Sequence, residues 1–305
     1  MKLQLVTKPI DSRSVSTRRQ FVPVVVPDLS RLHLMTEGDK QEVLGFLAQR
    51  PVHTVVMTSM IHDNGIESGQ NRGNFYGYRN ADGTLEGIAL IGHTTLVEVR
   101  SEEALIALAL TARESEIPLH IMMSDGDSIE SFWDYYSGGT KNPRLVCSER
   151  LFEIKYPVKV REFVPGLRLA TEAELMPVAE AHAEIALEES GVNPMEKDRE
   201  GYLNRVLRRI NQGRTWAVVD DEGKLVFKAD IVAETPDVSY LEGIYVHPDY
   251  RGKGIGANCL SQLSRILLEK VKHVCLLSNE DFQNAHRAYQ KAGFKSQDCC
   301  VTIFA

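Results

Sequence analysis

The spacing of hydrophobic and polar residues is easiest to interpret in the second half of the chain. Apolar residues first recur at helical spacing and then in the short runs that are typical of strands. A further helix, a strand, a short helix and a last strand complete the pattern. The predicted order is βααβββαβαβ, over residues 167–170, 175–190, 201–210, 215–220, 224–234, 238–246, 255–267, 273–277, 283–294 and 299–304.

Residues with strong local preferences mark the ends of these elements. Thr171 is placed to cap the first helix, and Gly213 is placed to end the second. The sequence DDEG at 220–223 predicts a hairpin turn between two strands. Gly293 is expected to end the last helix.

The first half of the chain repeats this order of helices and strands, but less clearly. Helices are predicted over 39–50, 51–65, 101–115 and 127–137, and strands over 74–80, 84–99 and 118–124. We interpret this likeness as an internal duplication with a boundary near residue 159. The predicted organisation is a flexible tail (1–30), a first domain (31–158) and a second domain (159–305).

Length and composition agree with two domains of a globular protein. The chain has 305 residues, of which 43% are hydrophobic and 25% charged. The longest apolar stretches, such as 104–110, are too short to span a membrane. Residues 1–30 lack the apolar core of a secretory signal, and a targeting role is the less favoured alternative for this tail.

The charge and the cysteines narrow the function classes further. A net charge of −7 argues against general binding of nucleic acid. The cluster Arg205, Arg208, Arg209 and Arg214 is the one basic exception, and a solvated helix face is its favoured interpretation. Five cysteines without a CxxC motif fit a reducing cytoplasm, and the scattered histidines predict no metal site.

The sequence VHPDYRGKGIG at 246–256 carries the strongest chemical signal. Gly252, Gly254 and Gly256 lie between a predicted strand and a predicted helix. The first N–H groups of a helix have no partner within it, and glycine leaves them open to a ligand. Arg251 and Lys253 add positive charge, so that the run predicts a site for a phosphate or pyrophosphate.

Several ligands and one structural alternative compete for this run. A Walker loop is excluded because the motif Gly-x4-Gly-Lys-Ser/Thr is absent. A dinucleotide fingerprint, G-x-G-x-x-A, is matched by Gly252, Gly254 and Ala257, but an antiparallel meander precedes it where a parallel βαβ unit is required. A turn without a ligand is the structural alternative.

Two motifs together resemble the GNAT superfamily of N-acyltransferases. The run 246–256 resembles the family's acyl-CoA-binding loop, R-G-x-G-x-G/A after a strand. The segment FQNAHRAYQKAGF resembles the later helix N-x-x-A-x-x-x-Y-x-x-x-G-F, with Ala285, Tyr289, Gly293 and Phe294 in place. The pattern's asparagine is replaced by Phe282. Asn279 and Asn284 lie near enough in sequence to supply a similar amide.

The resemblance implies an α/β (α+β) fold with two GNAT-like domains, each a mixed, mostly antiparallel sheet flanked by helices. The detailed likeness covers about residues 165–305, and the first domain is predicted to be a degenerate copy. Acetyl-CoA is the implied cosubstrate and a small-molecule or peptide amine the implied acceptor, with no metal, nucleic acid or membrane. The implied donor-binding residues are Tyr245, Val246, Arg251, Gly252, Lys253, Gly254, Ile255, Gly256, Asn279, Asn284 and Ala285.

Two side chains are candidates for acid–base catalysis. Tyr289 matches the position from which the family protonates the leaving thiolate, and a packed core tyrosine is the alternative. Glu242 lies on the strand that leads to the loop and is a candidate base, with an ion-paired glutamate as the alternative. A base is useful because only about one lysine-like amine in two thousand is neutral at pH 7. Strand alternation predicts that Tyr240, Glu242, Ile244 and Val246 share one face.

The remaining expectations concern the acceptor and the first domain. Glu184, Glu188 and Glu189 could hold a cationic amine, although a solvated helix face is favoured. Where the first domain corresponds to the glycine loop it reads LVEVRSEEALIALAL, without glycine, and is expected to bind no CoA. A non-catalytic acyl-CoA-binding regulator is the alternative to an enzyme. Residue patterns leave the acceptor and the oligomeric state open.

Overall fold

The computed structural model describes residues 25–160 and 162–305, so that residues 1–24 of the predicted tail lie outside the described residues. The strands are β1 (Leu32–Leu34), β2 (Gly73–Arg79), β3 (Leu85–Gly92), β4 (Thr94–Val99), β5 (Ile121–Asp125), β6 (Leu145–Ile154), β7 (Arg168–Leu169), β8 (Thr215–Val219), β9 (Leu225–Glu234), β10 (Val238–Val246), β11 (His273–Asn279) and β12 (Lys295–Phe304). The helices are α1 (Lys40–Leu47), α2 (Val55–Asn64), α3 (Glu102–Glu114), α4 (Gly126–Ser137), α5 (Leu175–Ser190), α6 (Pro194–Lys197), α7 (Arg199–Asn211), α8 (Ile255–Leu267) and α9 (Gln283–Lys291).

The elements predicted for the second half are all present. Thr171 and Glu174 form a capping box before α5, in which the side chain of each accepts from the backbone N–H of the other. Gly223, with a φ of 78°, completes the hairpin turn between β8 and β9. The short α6 was not predicted, because its four residues are too few to show a period.

The strands of the described residues form one continuous sheet rather than two. Its order is β1-β2-β3-β4-β5-β12-β6-β11-β10-β9-β8-β7. The last strand of each half therefore crosses to the other: β12 pairs with β5, and β6 pairs with β11. The predicted class, a mixed and mostly antiparallel sheet flanked by helices, is confirmed. The boundary near residue 159 stays a prediction, and neither half has its full sheet without a strand of the other.

Helix α2 of the first half also spans the junction. It packs on β9 and β10, and Asp63 at its end forms an ion pair with Arg214 at 3.0 Å. The backbone N–H of Glu234 donates to the Ser59 hydroxyl at 3.1 Å. In the described residues no helix is long and apolar enough to cross a membrane.

The two faces of the second half of the sheet are covered by different helices. One face, here the α8/α9 face, packs Leu241 and Phe227 with Cys259 and Leu263 of α8. The other, here the α5/α7 face, packs Tyr245 with Val178 of α5 and helix α7. Burying one such side chain completely stabilises a fold by about 1.5–3 kcal/mol, so that these two layers hold β10 in place.

A bulge in β10 changes which residues share a face. Glu242 pairs with Asp230, but Tyr245 pairs with Lys228, so that three residues of β10 span two of β9. Gly243, with a φ of 58°, supplies the backbone conformation that the bulge requires. The predicted alternation is therefore wrong: Ile244 joins Leu241 on the α8/α9 face, as Val246 also does.

Candidate functional site

A cleft opens where β10 and β11 part. The two parallel strands pair from Val238–His273 to Leu241–Leu276. Beyond this point β10 continues beside β9 as far as Val246, and β11 continues beside β6 as far as Asn279. The edges that the two strands would otherwise share are open to a ligand.

The glycine loop leads from the end of β10 into α8 and leaves its amides unpaired. For the backbone N–H groups of 252–257, no acceptor is found in the part of the chain that the structure describes. Gly252 and Gly254 have φ values of 77° and 83°. Apart from adjacent backbone, nothing lies within 4 Å of the place where a side chain would begin at Gly252, and at Gly254 the nearest atom is Asn258 Nδ2 at 3.9 Å. The loop therefore presents a row of donors at a helix N-terminus, which suits a phosphate group.

The basic residues of the loop lie beside these amides. The Arg251 Nε donates to the Val246 carbonyl oxygen at 2.9 Å, and the guanidinium lies 6.0 Å from the Tyr245 ring centre. Lys253 Nζ lies 5.4 Å from the ring centre of Tyr250. A side chain at Gly256 would begin 2.9 Å from Val246 Cγ2, so that glycine allows α8 to approach β10 closely.

The backbone of Val246, rather than that of Tyr245, faces the cleft. The His247 N–H donates to the Val226 carbonyl of β9 at 3.0 Å. Successive residues of a strand turn their N–H and C=O groups to opposite sides, so that Val246 turns its own away from β9. Tyr245 instead turns its backbone towards β9, and its hydroxyl donates to Glu184 at 3.3 Å.

Tyr289 lies on α9 at the α8/α9 face of the cleft. Its ring packs edge-on against Phe152, and its hydroxyl is hydrogen-bonded to that of Ser278 on β11. Burial raises the pKa of Tyr289 to about 12, although the hydrogen bond with Ser278 opposes this. The hydroxyl therefore keeps its proton throughout the physiological range.

Glu242 lies on the opposite, α5/α7 face, beside its cross-strand partner Asp230. Its side chain is exposed, although many protein groups lie around the carboxyl. Loss of hydration raises the pKa of Glu242, while a hydrogen bond from the Tyr240 hydroxyl opposes the rise. A carboxylate with a raised pKa is a stronger base than one in water.

A buried ion pair supports the bulge that carries Glu242. Lys228 Nζ and Asp230 Oδ2 are 2.6 Å apart, and both side chains are completely buried. Asp230 also accepts from the Thr215 hydroxyl at 2.7 Å and lies 3.6 Å from Arg209 Nη1 of α7. Burial alone would raise the pKa of Asp230, but the charges of Lys228 and Arg209 outweigh it and lower the pKa.

Two further acids face the same part of the cleft. Glu149 lies on β6 and accepts from the Thr302 hydroxyl at 2.6 Å, and Glu189 lies at the end of α5. Glu149 is half-buried and Glu189 is exposed, and loss of hydration, reinforced by the charge of Glu242, raises the pKa of each to about 7. The sequence analysis missed Glu149 and Ser278. The run LVCSERLFEI at 145–154 was not recognised as a strand, although its last four residues are apolar or buried.

The other predicted contacts occupy the start of α9. The Asn279 Oδ1 accepts from the Asp281 N–H at 2.9 Å, which turns the chain towards the helix. Asn284 is exposed in the first turn, as is Phe282 just before it. Ala285 packs against the core of the α8/α9 face. Their roles in binding a donor stay predictions.

The parallel pair of the first half is arranged differently. Strands β4 and β5 also part after a short pairing, at Leu96–Met123. Arg50 then bridges them, with Nη1 at 3.3 Å from Glu98 and 2.9 Å from Asp125. Ser101 precedes helix α3, and its hydroxyl accepts from the Ala104 N–H. A side chain of the protein itself thus joins the two strands at this place.

Comparison with known families identifies part of the second half. Residues 211–296 match the model of the acetyltransferase (GNAT) domain. This range runs from the end of α7 to the start of β12 and includes the parted strands, the glycine loop and α9. The chain therefore contains a GNAT acetyltransferase domain. No protein of curated function matches the sequence.

Solved structures match nearly the whole chain. A GCN5-related N-acetyltransferase from Sphaerobacter thermophilus is 15% identical, with 92% of this chain and 96% of that chain covered and a TM-score of 0.56. A tandem GNAT protein from the clavulanic acid biosynthesis pathway is 14% identical, with 90% and 97% covered and a TM-score of 0.55. A GNAT-family acetyltransferase from Colwellia psychrerythraea is 14% identical, with 90% and 99% covered and a TM-score of 0.53. At these identities the likeness concerns the fold.

Proposed function

We propose that this protein is an N-acetyltransferase that moves an acetyl group from acetyl-CoA directly to an amine. The observation that carries the proposal is the cleft between β10 and β11. Unpaired amides lie at one end of it, Tyr289 on one face and Glu242 on the other. The proposal is tested by incubating acetyl-CoA with each of a panel of amines and measuring the release of free thiol. Tight CoA binding without turnover of any amine would favour the regulatory alternative.

The residues at the loop suit the diphosphate of a CoA thioester. The N–H groups of 252–257 can donate to phosphate oxygens, and Arg251 and Lys253 add charge. Val246 turns one N–H and one C=O towards the cleft, which suits an amide-containing arm. Acetyl-CoA would supply the activated acetyl thioester.

Replacing Gly254 by valine is expected to weaken acetyl-CoA binding by about 30-fold, because a branched side chain would cover the amides that hold phosphate. Calorimetry measures this change, and wild type should bind one acetyl-CoA per chain and no NAD. Gly223→Val is the matched control. It has a similar φ of 78° and nothing within 4 Å of the place where its side chain would begin, but it lies in the β8–β9 turn. Equal affinity of the two variants would place the ligand elsewhere.

The positions of the acid and the base favour transfer through the opening in the sheet. Tyr289 lies on the α8/α9 face, where it can donate a hydrogen bond to a leaving sulfur. Glu242 lies on the α5/α7 face, where it can accept a proton from an amine. The new N–C bond then forms as the C–S bond breaks, the amine proton leaves towards Glu242, and the leaving thiolate accepts a hydrogen bond from the Tyr289 hydroxyl.

Replacing Glu242 by glutamine is expected to lower kcat/KM by about 100-fold at pH 7, because the amine then loses its base. The raised pKa of Glu242 means that wild-type activity increases with pH as this carboxyl ionises. This increase of activity with pH should be missing in the variant. The difference in kcat/KM between the two proteins should shrink at high pH. Glu222→Gln, an exposed acid in a turn, is the control. A loss of equal size at every pH would contradict a role as base.

We further propose that the first half is a degenerate copy that binds no CoA. The bridge from Arg50 to Glu98 and Asp125 supports this, because it occupies the place where the strands part. Glu102 and Glu103 put negative charge at the start of α3, which stabilises the helix and repels an anion.

A cytoplasmic location is a further proposal, supported by the five free cysteines.

A further inference from the structure

A cavity of about 40 Å³ lies between the two halves of the chain. Residues at the start of α2, within 52–57, and residues of β4, β5 and β6 line it from the first half. Tyr240, Leu277 and Cys300 line it from the second half. A single water needs about 10–15 Å³ of such space, so that the cavity has room for a chain of about three carbon atoms.

The wall of this cavity is mainly apolar. Its aliphatic side chains include those of Val56, Met57, Leu96 and Leu277. The polar side chains of the wall already have partners: Glu98 and Asp125 pair with Arg50, His53 with Asp298, Ser124 with the Val97 carbonyl oxygen, and Tyr240 with Glu242. A polar group would lose its hydration on entering, whereas a hydrocarbon group gains by leaving water. The wall therefore suits a hydrocarbon.

The cavity reaches the acceptor side of the proposed site at two places. Tyr240 lies two residues before Glu242 on β10, so that the two side chains share a face and are about 7 Å apart along the strand. Leu277 is the first residue of β11 beyond the stretch that pairs with β10. It points away from Ser278, whose hydroxyl is bonded to Tyr289 on the α8/α9 face. The cavity thus begins where the strands part, on the side of Glu242.

We propose that the acceptor is a primary aliphatic amine whose hydrocarbon chain enters this cavity while its nitrogen lies beside Glu242. This inference rests on the proposed function and names its substrate class. About three carbons fill the cavity and about three more cross the distance from Glu242 past Tyr240, so that a chain of about six carbons fits best. Residues of the first half then select the acceptor on which the second half acts.

The test measures kcat/KM with acetyl-CoA for the linear primary amines from ethylamine to decylamine, which differ in length and little in basicity. Wild-type kcat/KM should rise about 4-fold for each methylene that enters the cavity, or about 60-fold in all, and should fall beyond about six carbons. Turnover of all these amines without dependence on chain length would overturn the inference and leave the proposed function intact.

Two substitutions in the wall should move the preferred length in opposite directions. Met57→Ala enlarges the cavity and should raise the ratio of kcat/KM for octylamine to that for hexylamine by about 15-fold. Val56→Phe fills the cavity and should remove most of the gain that hexylamine has over ethylamine. Met35→Ala is the matched control, because Met35 is as deeply buried as Met57 and belongs to the same core cluster but does not line the cavity. The same change of ratio in Met35→Ala would overturn the inference.

Binding without transfer gives a measurement that is independent of turnover. With CoA in place of acetyl-CoA, hexylamine should raise the Tm of wild type more than ethylamine does at equal concentration, because a ligand of the folded state stabilises it. This difference should be absent in Val56→Phe. Equal shifts from both amines in wild type would overturn the inference. A length-dependent shift without turnover of any amine would overturn the proposed function and support the apolar site.

Discussion

Replacing Tyr289 by phenylalanine is expected to lower kcat by about 100-fold and to leave acetyl-CoA affinity unchanged. The phenyl ring keeps the edge-on packing against Phe152, so that only the hydroxyl is lost. A positioned acid contributes about 100- to 10,000-fold. The lower end applies, because a phenol with a pKa of about 12 cannot transfer its proton completely to a thiolate whose pKa is near 8.5. Its contribution is then mainly a hydrogen bond to the sulfur. Stopped-flow measurement of thiol release gives kcat.

Tyr202→Phe is the matched control for this experiment. Tyr202 is also buried, its pKa is also raised to about 12 by burial, and its hydroxyl donates to the Ala179 carbonyl at 3.3 Å. It lies between α5 and α7, on the face opposite to that of Tyr289. If both variants lose the same activity, or if Tyr289→Phe keeps full turnover with a good acceptor, Tyr289 is a structural residue.

Replacing Lys228 by methionine is expected to lower the free energy of unfolding by about 3–5 kcal/mol. The variant leaves Asp230 buried beside the partly exposed Arg209, which cannot replace a partner at 2.6 Å. Lys228 Nζ also lies against Gly243, so its loss should loosen the bulge and lower activity as well. Urea unfolding followed by fluorescence measures the change.

Lys224→Met is the matched control, because it removes an ion pair with the same N–O distance. Lys224 and Asp249 are also 2.6 Å apart, but the pair is on the surface and should contribute less than about 1 kcal/mol. The double variant Lys228→Met, Asp230→Leu should recover part of the lost stability, because it removes both charges from the interior. A Lys228→Met protein as stable as Lys224→Met would contradict this account.

Much of the second half follows from local sequence. The capping box at Thr171 and Glu174 and the turn that ends at Gly223 are strongly favoured local conformations, and the glycines before α8 permit positive φ values that few other residues adopt. Such signals do not depend on what packs against them. The glycine loop was predicted as a ligand site for the same reason, because it needs only a strand, three glycines and a helix.

Features that depend on pairing between distant segments were not predictable. Strand β6 was missed, and its exchange with β12 depends on contacts between residues about 150 apart, for which Glu149 and Thr302 are an example. The faces of β10 were predicted wrongly, because alternation assumes a regular strand. A bulge arises only where a neighbouring strand, here β9, fixes the register.

The sequence by itself determined the local elements and the glycine loop, because each depends on a few adjacent side chains, and its resemblance to a known family supplied the two residues proposed for acid–base chemistry. Only the tertiary structure decided the single twelve-stranded sheet, the opposite faces of Tyr289 and Glu242, and the entry of Glu149 into the second half's site. The physical reason is that hydration, charge and pairing depend on what lies close in space. A glutamate has the same ordinary pKa everywhere in a sequence, and only its surroundings in the fold raise it.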